Sequence, residues 1–316
     1  MCSSGRGEQD VRGNRPSGEN SNENRGGLPH SDDGGRNRYA DRDTNADNTN
    51  AGNTHADQDK SAPQAEYCLQ LEPIGVIRTD FKEKFGIPRQ PGLVPGLEAI
   101  IEFCPKYRNP DVVRGIESFE YLWLIFGFSR NWKQTADGTY SAKWSALVRP
   151  PRLGGQVKEG VFATRSPYRP NGLGLSSVRL LSVDTTDEEN PRLVVGGADL
   201  LDGTPIYDIK PYVAYSDAHP DAVSGFAVET REFLLVNFPE DLLQRVQEAK
   251  RQPLIGVLAQ DPRAAYEKKD GEVYGMRFAD YDVRFMVTGE TLTVVDVLDV
   301  TAGLELGSAG RIKSKK

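Results

Sequence analysis

Between residues 67 and 215 the chain is a succession of short apolar runs with period-two character, separated by proline and glycine at short intervals. The runs are EPIGVIRT (72–79), EAIIEF (98–103), YLWLIFGFS (121–129), KWSALVRP (143–150), GVFATRS (160–166), LSSVRLLSV (175–183), RLVVGGADLL (192–201) and PIYDIKPYVAY (205–215). Alternation of this kind marks strands that bury one face. The crossover helices that parallel strands need are missing between the runs, so a doubly wound sheet is the weaker architecture and a barrel or closed sheet the better one.

The pattern changes near residue 239. PEDLLQRVQEAKRQ (239–252) spaces Leu242, Leu243 and Val246 as a helix does, with proline in the first turn, acids early and bases late. YGMRFADYDVRFMVTGETLTVVDVLDV (274–300) then alternates strongly around a Gly-Glu turn. The expected fold is mainly β. It comprises a disordered N-terminal arm (1–65), a single-sheet β-barrel (66–228), a small α+β C-terminal domain (229–302) and a Lys/Arg-rich tail (303–316).

Composition explains the arm. Up to residue 62 the only large apolar side chains are Met1, Val11, Leu28 and Tyr39, too few to offset the entropy of ordering the backbone. The arm has neither the apolar core of a signal peptide nor the acid-poor character of an organelle presequence, and the chain has no transmembrane run. Cys2, Cys68 and Cys104 form no CxxC pair, and two of the three histidines, His30 and His55, lie in the arm. These residues predict no metal site and no disulfide framework, and hence a reducing compartment, most simply the cytoplasm. The third histidine, His219, reads as a surface turn residue rather than a base.

The formal charge of the whole chain is −7, yet residues 138–183 carry Lys143, Arg149, Arg152, Lys158, Arg165, Arg169 and Arg179 against the single acid Glu159. On charge alone this is a solvated face. Many of these arginines adjoin proline or glycine, however, where the backbone is preset, and the guanidinium fork recognises phosphate and carboxylate at two points. Trp132, Trp144, Tyr140 and Tyr168 lie near or within the block and offer rings on which single-stranded bases stack. Trp123, within YLWLIF, reads as barrel core.

PPRLGG (150–155), GVFATRSPYRPNGLGLS (160–176), DLLDGTPIYDIKPY (199–212) and FKEKFGIPRQPGLVP (81–95), followed by DPRAAY (261–266), together resemble the TrmO family of S-adenosylmethionine-dependent tRNA methyltransferases. The resemblance covers about residues 70–300. It implies a β-barrel enzyme that acts as a homodimer and methylates N6 of threonylcarbamoyladenosine beside the anticodon. Carried over to matching positions, cofactor contacts come from Pro88, Arg89 and Gln90, from Ser129 and Arg130, from Arg165 and Leu175, and from the loop Leu201, Asp202, Gly203, Thr204 and Pro205. Contacts to the tRNA anticodon loop fall to Arg149, Arg152, Arg169, Lys210, Arg263 and Tyr266. Three departures stand out: PNGLGLS replaces the family's PNPIGLS, Ser129 stands where relatives commonly have histidine, and Ala264 replaces a proline.

Methyl transfer from a sulfonium to nitrogen is a direct displacement and needs no covalent nucleophile and no metal. Loss of the N6 proton assists it, and Asp202 or Asp208 can accept that proton or hold the cofactor's amino group; the residues leave both roles open. A non-catalytic RNA-binding barrel would show damaged PRQ, ATRS and DGTP motifs, whereas all three are intact; a same-fold enzyme with another substrate would need neither the basic block nor the C-terminal unit. Deleting residues 1–62 is expected to leave methyl transfer to tRNA nearly unchanged in a radiolabel assay, and a large loss would overturn the reading of the arm.

Overall fold

The structure is a computed structural model that describes residues 69–301, apart from 137, 188, 228–232 and 264–268. The arm and the basic tail lie outside the described residues. In chain order the strands are β1 (Gly75–Arg78), β2 (Glu98–Phe103), β3 (Tyr121–Gly127), β4 (Trp132–Gln134), β5 (Tyr140–Ala142), β6 (Leu147–Val148), β7 (Glu159–Gly160), β8 (Leu173–Asp184), β9 (Arg192–Gly196) and β10 (Thr204–Pro211). Six of them close a barrel in the order β1-β10-β3-β8-β9-β2, every pair antiparallel. Closure removes the exposed edges that an open sheet of these short strands would present.

The barrel core follows from the alternation. In β3, Leu122, Leu124 and Phe126 point inward, as do Ala99, Ile101 and Phe103 of β2 and Leu193 and Val195 of β9. Each fully buried leucine or isoleucine contributes about 1.5–3 kcal/mol relative to exposure. Trp123, expected in this core, instead faces outward. Its position between two inward residues of β3 allows nothing else, and its indole N–H donates to Asp217 at 2.8 Å while the ring packs on Tyr212. Register slips at Leu180/Ser182 and Ile206/Asp208 put a bulge in β8 and another in β10, which tightens the local twist.

Two of the eight expected runs are not barrel strands. KWSALVRP and GVFATRS yield only the two-residue ribbon β6–β7, the second run turning at once into a 3-10 turn at Val161–Ala163. Their apolar side chains have no core to enter: Trp144, Leu147 and Phe162 are exposed and only Val161 of the larger ones is buried. The whole excursion 128–172 leaves and re-enters the barrel at one end, because Gly127 and Leu173 are paired neighbours.

After the short helix α1 (Ala214–Asp217), a second core forms on the sheet β11 (Leu235–Asn237), β12 (Val273–Phe278), β13 (Tyr281–Thr288) and β14 (Thr291–Asp299), ordered β11-β14-β13-β12. The helix expected over 239–252 is split into α2 (Glu240–Leu243) and α3 (Glu248–Ala259), with Pro253 inside α3. The split lets Leu242 and Val246 reach the core from a turn while Leu254, Val257 and Leu258 do so from α3. This core also takes in Phe81, Val94 and Leu97 from the β1–β2 connection. Lys250 pairs with Asp80 at 2.6 Å, and the Ala279 N–H donates to the Asp80 carbonyl at 2.7 Å. Phe81 meets Phe278 edge to face at 5.8 Å. Phe81→Ala should therefore cost about 3–5 kcal/mol, read as a lowered urea midpoint; a midpoint unchanged from the parent would show that the connection is not anchored there.

Candidate active site

A cavity of about 180 Å³ opens at the end of the barrel from which the excursion departs. One wall is the end of β3 and the turn after it, Phe126 to Asn131; a second is Asp199, Leu200, Leu201 and Thr204 at the entry to β10; Lys84, Ile87 and Pro167 complete it. The walls meet because Ile77 pairs with Thr204, Ile206 with Phe126, and Gly127 with Leu173, so the four strand ends lie side by side.

The LDGTP turn is a platform held by hydrogen bonds. The N–H of Asp202 donates to the Phe81 carbonyl and that of Gly203 to Ile77, both at 2.8 Å, and the Thr204 hydroxyl donates to the Leu201 carbonyl at 2.7 Å. Gly203 sits at φ +75°, a left-handed conformation that favours glycine. The Asp202 carboxylate accepts from the Thr79 N–H at 3.0 Å and pairs with Lys82 at 3.1 Å. Asp202 thus staples the turn to β1 and does not line the cavity, as a catalytic carboxylate would have to. Asp208 fails for a different reason. It lies four residues along β10 from Thr204, about 13 Å at the rise of a strand, and is occupied by its neighbour's N–H and by Lys210 at 3.4 Å.

Two side-chain hydrogen bonds join segments of the quoted motifs. Arg165 donates through Nη1 to the Gln90 side-chain oxygen, and the Ser176 hydroxyl donates to Asp199 at 2.7 Å. Burial pushes the Asp199 carboxyl above the usual carboxylate range, an effect offset in part by the Ser176 hydrogen bond, by its own backbone N–H and by the positive charge of Arg165. Across the cavity Lys84 donates to the side-chain oxygen Oδ1 of Asn131 at 3.0 Å. The Asn131 Nδ2 is buried with no partner, an N–H donor left for a ligand at a wall of the cavity.

Of the residues expected at the cofactor, Ser129, Arg130, Leu201 and Thr204 line the cavity, and Gln90 and Arg165 are hydrogen-bonded to each other. Pro88 is buried, Arg89 and Leu175 face outward, and Pro205 pairs with Val76 in the barrel wall. Lys84, Asn131 and Asp199 were missed. Asp199 carried a signal in the sequence: an acid flanked by GGA and LL, with no base beside it to neutralise it.

The nucleic-acid candidates separate as well. Arg149 and Arg152 are exposed on the excursion. Arg169 donates to the carbonyls of Thr164 and Ser166 at 3.0 and 3.4 Å, so it shapes the turn that carries Arg165. Lys210 is at the far end of β10, where its neighbour Pro211 pairs with Leu122. Arg263 is 4% exposed and forms two hydrogen bonds with Asp261, at 2.9 and 3.2 Å. This corrects its assignment to a surface contact: a guanidinium enclosed with its carboxylate holds the chain rather than a partner. Tyr266 lies outside the described residues. The Gly172 departure has a structural expression too. Gly172 adopts φ +59°, which proline cannot, and its carbonyl accepts from the Phe128 N–H at 2.8 Å.

Among the described residues no group of three or more His, Cys, Asp or Glu side chains converges as a metal site would require, and no helix is long and apolar enough to cross a membrane. Solved structures share this architecture. A crystal structure of TrmO from Pseudomonas aeruginosa superimposes with a TM-score of 0.59 at 36% identity, covering 74% of this chain and 98% of that one. Fold and mouth together place the protein among methyltransferases built on a closed β-barrel. The model of the tRNA-methyltransferase O N-terminal domain matches residues 76–218 and that of the TrmO C-terminal domain residues 231–300. The tRNA (adenine(37)-N6)-methyltransferase of Escherichia coli strain K12 is 42% identical over 229 residues, 70% of this chain and 94% of the relative. A Pseudomonas aeruginosa protein with S-adenosylmethionine-dependent methyltransferase in its name is 42% identical over 241 residues, 74% of this chain and 98% of its own length. The chain belongs to the TrmO family.

Arg165→Ala removes the charged hydrogen bond to Gln90 and a positive charge near Asp199. Losing a charged hydrogen bond costs about 1.5–3 kcal/mol, so S-adenosylmethionine affinity by calorimetry should fall roughly ten- to a hundred-fold with the melting temperature kept. Unaltered affinity would remove Arg165 from the cofactor site.

Proposed function

We propose that the protein methylates N6 of the adenine beside the anticodon in tRNA, with S-adenosylmethionine as donor, and that its substrate is the threonylcarbamoylated form of that adenine. The observations that carry this reading are the side-chain hydrogen bonds that join the PRQ segment to the ATRS segment and the GLS segment to the ADLLDG segment, with Asp199 of the last lining the cavity, in a chain 42% identical to an enzyme named for adenine 37. When bound, S-adenosylmethionine supplies an electrophilic methyl group on a sulfonium.

The protein's own contribution is alignment. The hydrogen-bonded LDGTP platform and the proline- and glycine-set turns fix the walls before a ligand arrives, and oriented reactants account for roughly 7–11 kcal/mol of a barrier. The unpartnered Asn131 Nδ2, with Lys84 beside it, fits a carboxylate or another acceptor of the bound molecules. Arg149 and Arg152 are exposed on the basic excursion, which leaves and re-enters the barrel beside the cavity, and suit anticodon-loop phosphates and the threonyl carboxylate.

The cavity is smaller than the roughly 300 Å³ at which ligand pockets ordinarily begin, which supports a site walled in part by a second copy. Phe162 is 78% exposed, and Leu175 and Trp144 are 55% and 56% exposed; an apolar surface of this kind is one that dimerisation would cover. The working form is accordingly a homodimer, and its compartment that of mature tRNA, the cytoplasm. The decisive experiment supplies labelled S-adenosylmethionine with tRNA carrying or lacking the threonylcarbamoyl group. Transfer only to the modified tRNA is expected; equal transfer to both would leave the adenine methyltransferase and remove the modified substrate, and binding without transfer would favour an RNA-binding barrel.

A further inference from the structure

The chemistry of N6 leaves one group unassigned. A carbamoylated exocyclic nitrogen has its lone pair delocalised, so it attacks a methyl carbon well only as its proton departs. Both carboxylates that the sequence put forward for this task are taken, Asp202 by Lys82 and the Thr79 N–H, Asp208 by Lys210. Among the described residues Asp199 is the single carboxylate that lines the cavity.

We propose that Asp199 is the proton acceptor of the methyl transfer, an assignment that rests on the adenine-N6 reading given above. Asp199 is half-buried at the cavity wall, with one oxygen holding the Ser176 hydroxyl; a carboxylate oxygen has further lone pairs, and the second oxygen takes the proton. In the step, the N6 electrons form the new bond to the methyl carbon, the carbon–sulfur bond breaks with its pair remaining on sulfur, and the N6 proton passes to Asp199. The positive sulfonium and the negative carboxylate both end neutral. The proton then leaves to solvent through the open mouth.

The surroundings suit the role. Burial raises the affinity of Asp199 for a proton, which brings it closer to the working pH than an exposed aspartate would be. The charged groups that face it are Arg165, from the turn after β7, and Lys84 and Arg130 across the cavity. The Ser176 hydrogen bond, the backbone N–H and, least, the charge of Arg165 favour the ionised form, which is the form that accepts a proton. Ser176 orients it, as a positioning residue.

The sign of the pH dependence follows. Only the ionised form accepts a proton, so the single-turnover rate on threonylcarbamoylated tRNA should fall on acidification, at a higher pH than for an ordinary carboxylate. In Asp199→Asn the rate should drop by about a hundred-fold or more, the acid limb should disappear, and S-adenosylmethionine affinity by calorimetry should stay within a few-fold. Asp199→Glu should recover part of the rate and restore the limb. Ser176→Ala removes a hydrogen bond that favours the ionised form, so its limb should move to higher pH in a protein whose fold is kept; this arm decides the matter even where Asp199→Asn does not fold. An unmoved limb in Ser176→Ala, a full rate in Asp199→Asn, or an affinity loss as large as the rate loss would overturn the assignment, the last by making Asp199 a holder of the cofactor's ammonium group. If the wild-type protein transfers no methyl group to adenine N6, the parent reading fails and this one falls with it, whereas a normal wild-type rate beside any of the three results above sinks Asp199 alone.

Discussion

The bond on which the molecule turns is the one between the Asp202 carboxylate and the end of β1. Its two oxygens take the Thr79 N–H and the Lys82 ammonium, while the backbone of the same turn donates to Ile77 and Phe81. This clamp joins the first strand of the barrel to the entry of β10. It therefore fixes three things together: barrel closure between β1 and β10, the direction in which the β1–β2 connection sets out toward the second core, and the height at which Asp199, Leu201 and Thr204 stand at the mouth. Asp202 is thereby engaged in holding the turn, while Asp199, three residues earlier, lines the cavity.

Positive charge at the mouth is divided by the same logic. Arg165 and Arg169 sit four residues apart on one turn, yet Arg169 is spent on the carbonyls of residues 164 and 166, which braces the backbone that presents Arg165 to Gln90. Arg263, beyond the barrel, is buried with Asp261, and its Nη1 has no hydrogen-bond partner. Three arginines from quoted motifs thus perform three kinds of work, and only burial and partners tell them apart.

Much of the fold was legible because alternation reports directly on a buried face: β2, β3, β8, β9 and β10 stand where the apolar runs stand. The two runs that went astray, around Leu147 and Phe162, show the limit of that signal, since apolar residues with short-range alternation can also lie on an exposed excursion. The helix over 239–252 was misjudged because Leu242 and Val246 have helical spacing even in a turn. At the site, the quoted motifs pointed to the correct turns but not to the side chains that turn inward. Asp199 and Asp202 are three residues apart in one motif, and nothing in their spacing reveals that one faces a cavity and the other a lysine. Lys84 and Asn131 were missed for the same reason, their partnership spanning 47 positions.

The β1–β2 connection has a consequence for how such a chain can be divided. Phe81, Val94 and Leu97 lie in the interior of the second core although they precede most of the barrel in the sequence, and Lys84 and Ile87, a few residues from Phe81, face the cavity. A gene cut after the barrel would not release a self-contained module: it would lay bare a greasy underside on the very loop that furnishes part of the cavity wall. Shortened descendants would have to rewrite that loop at the same time.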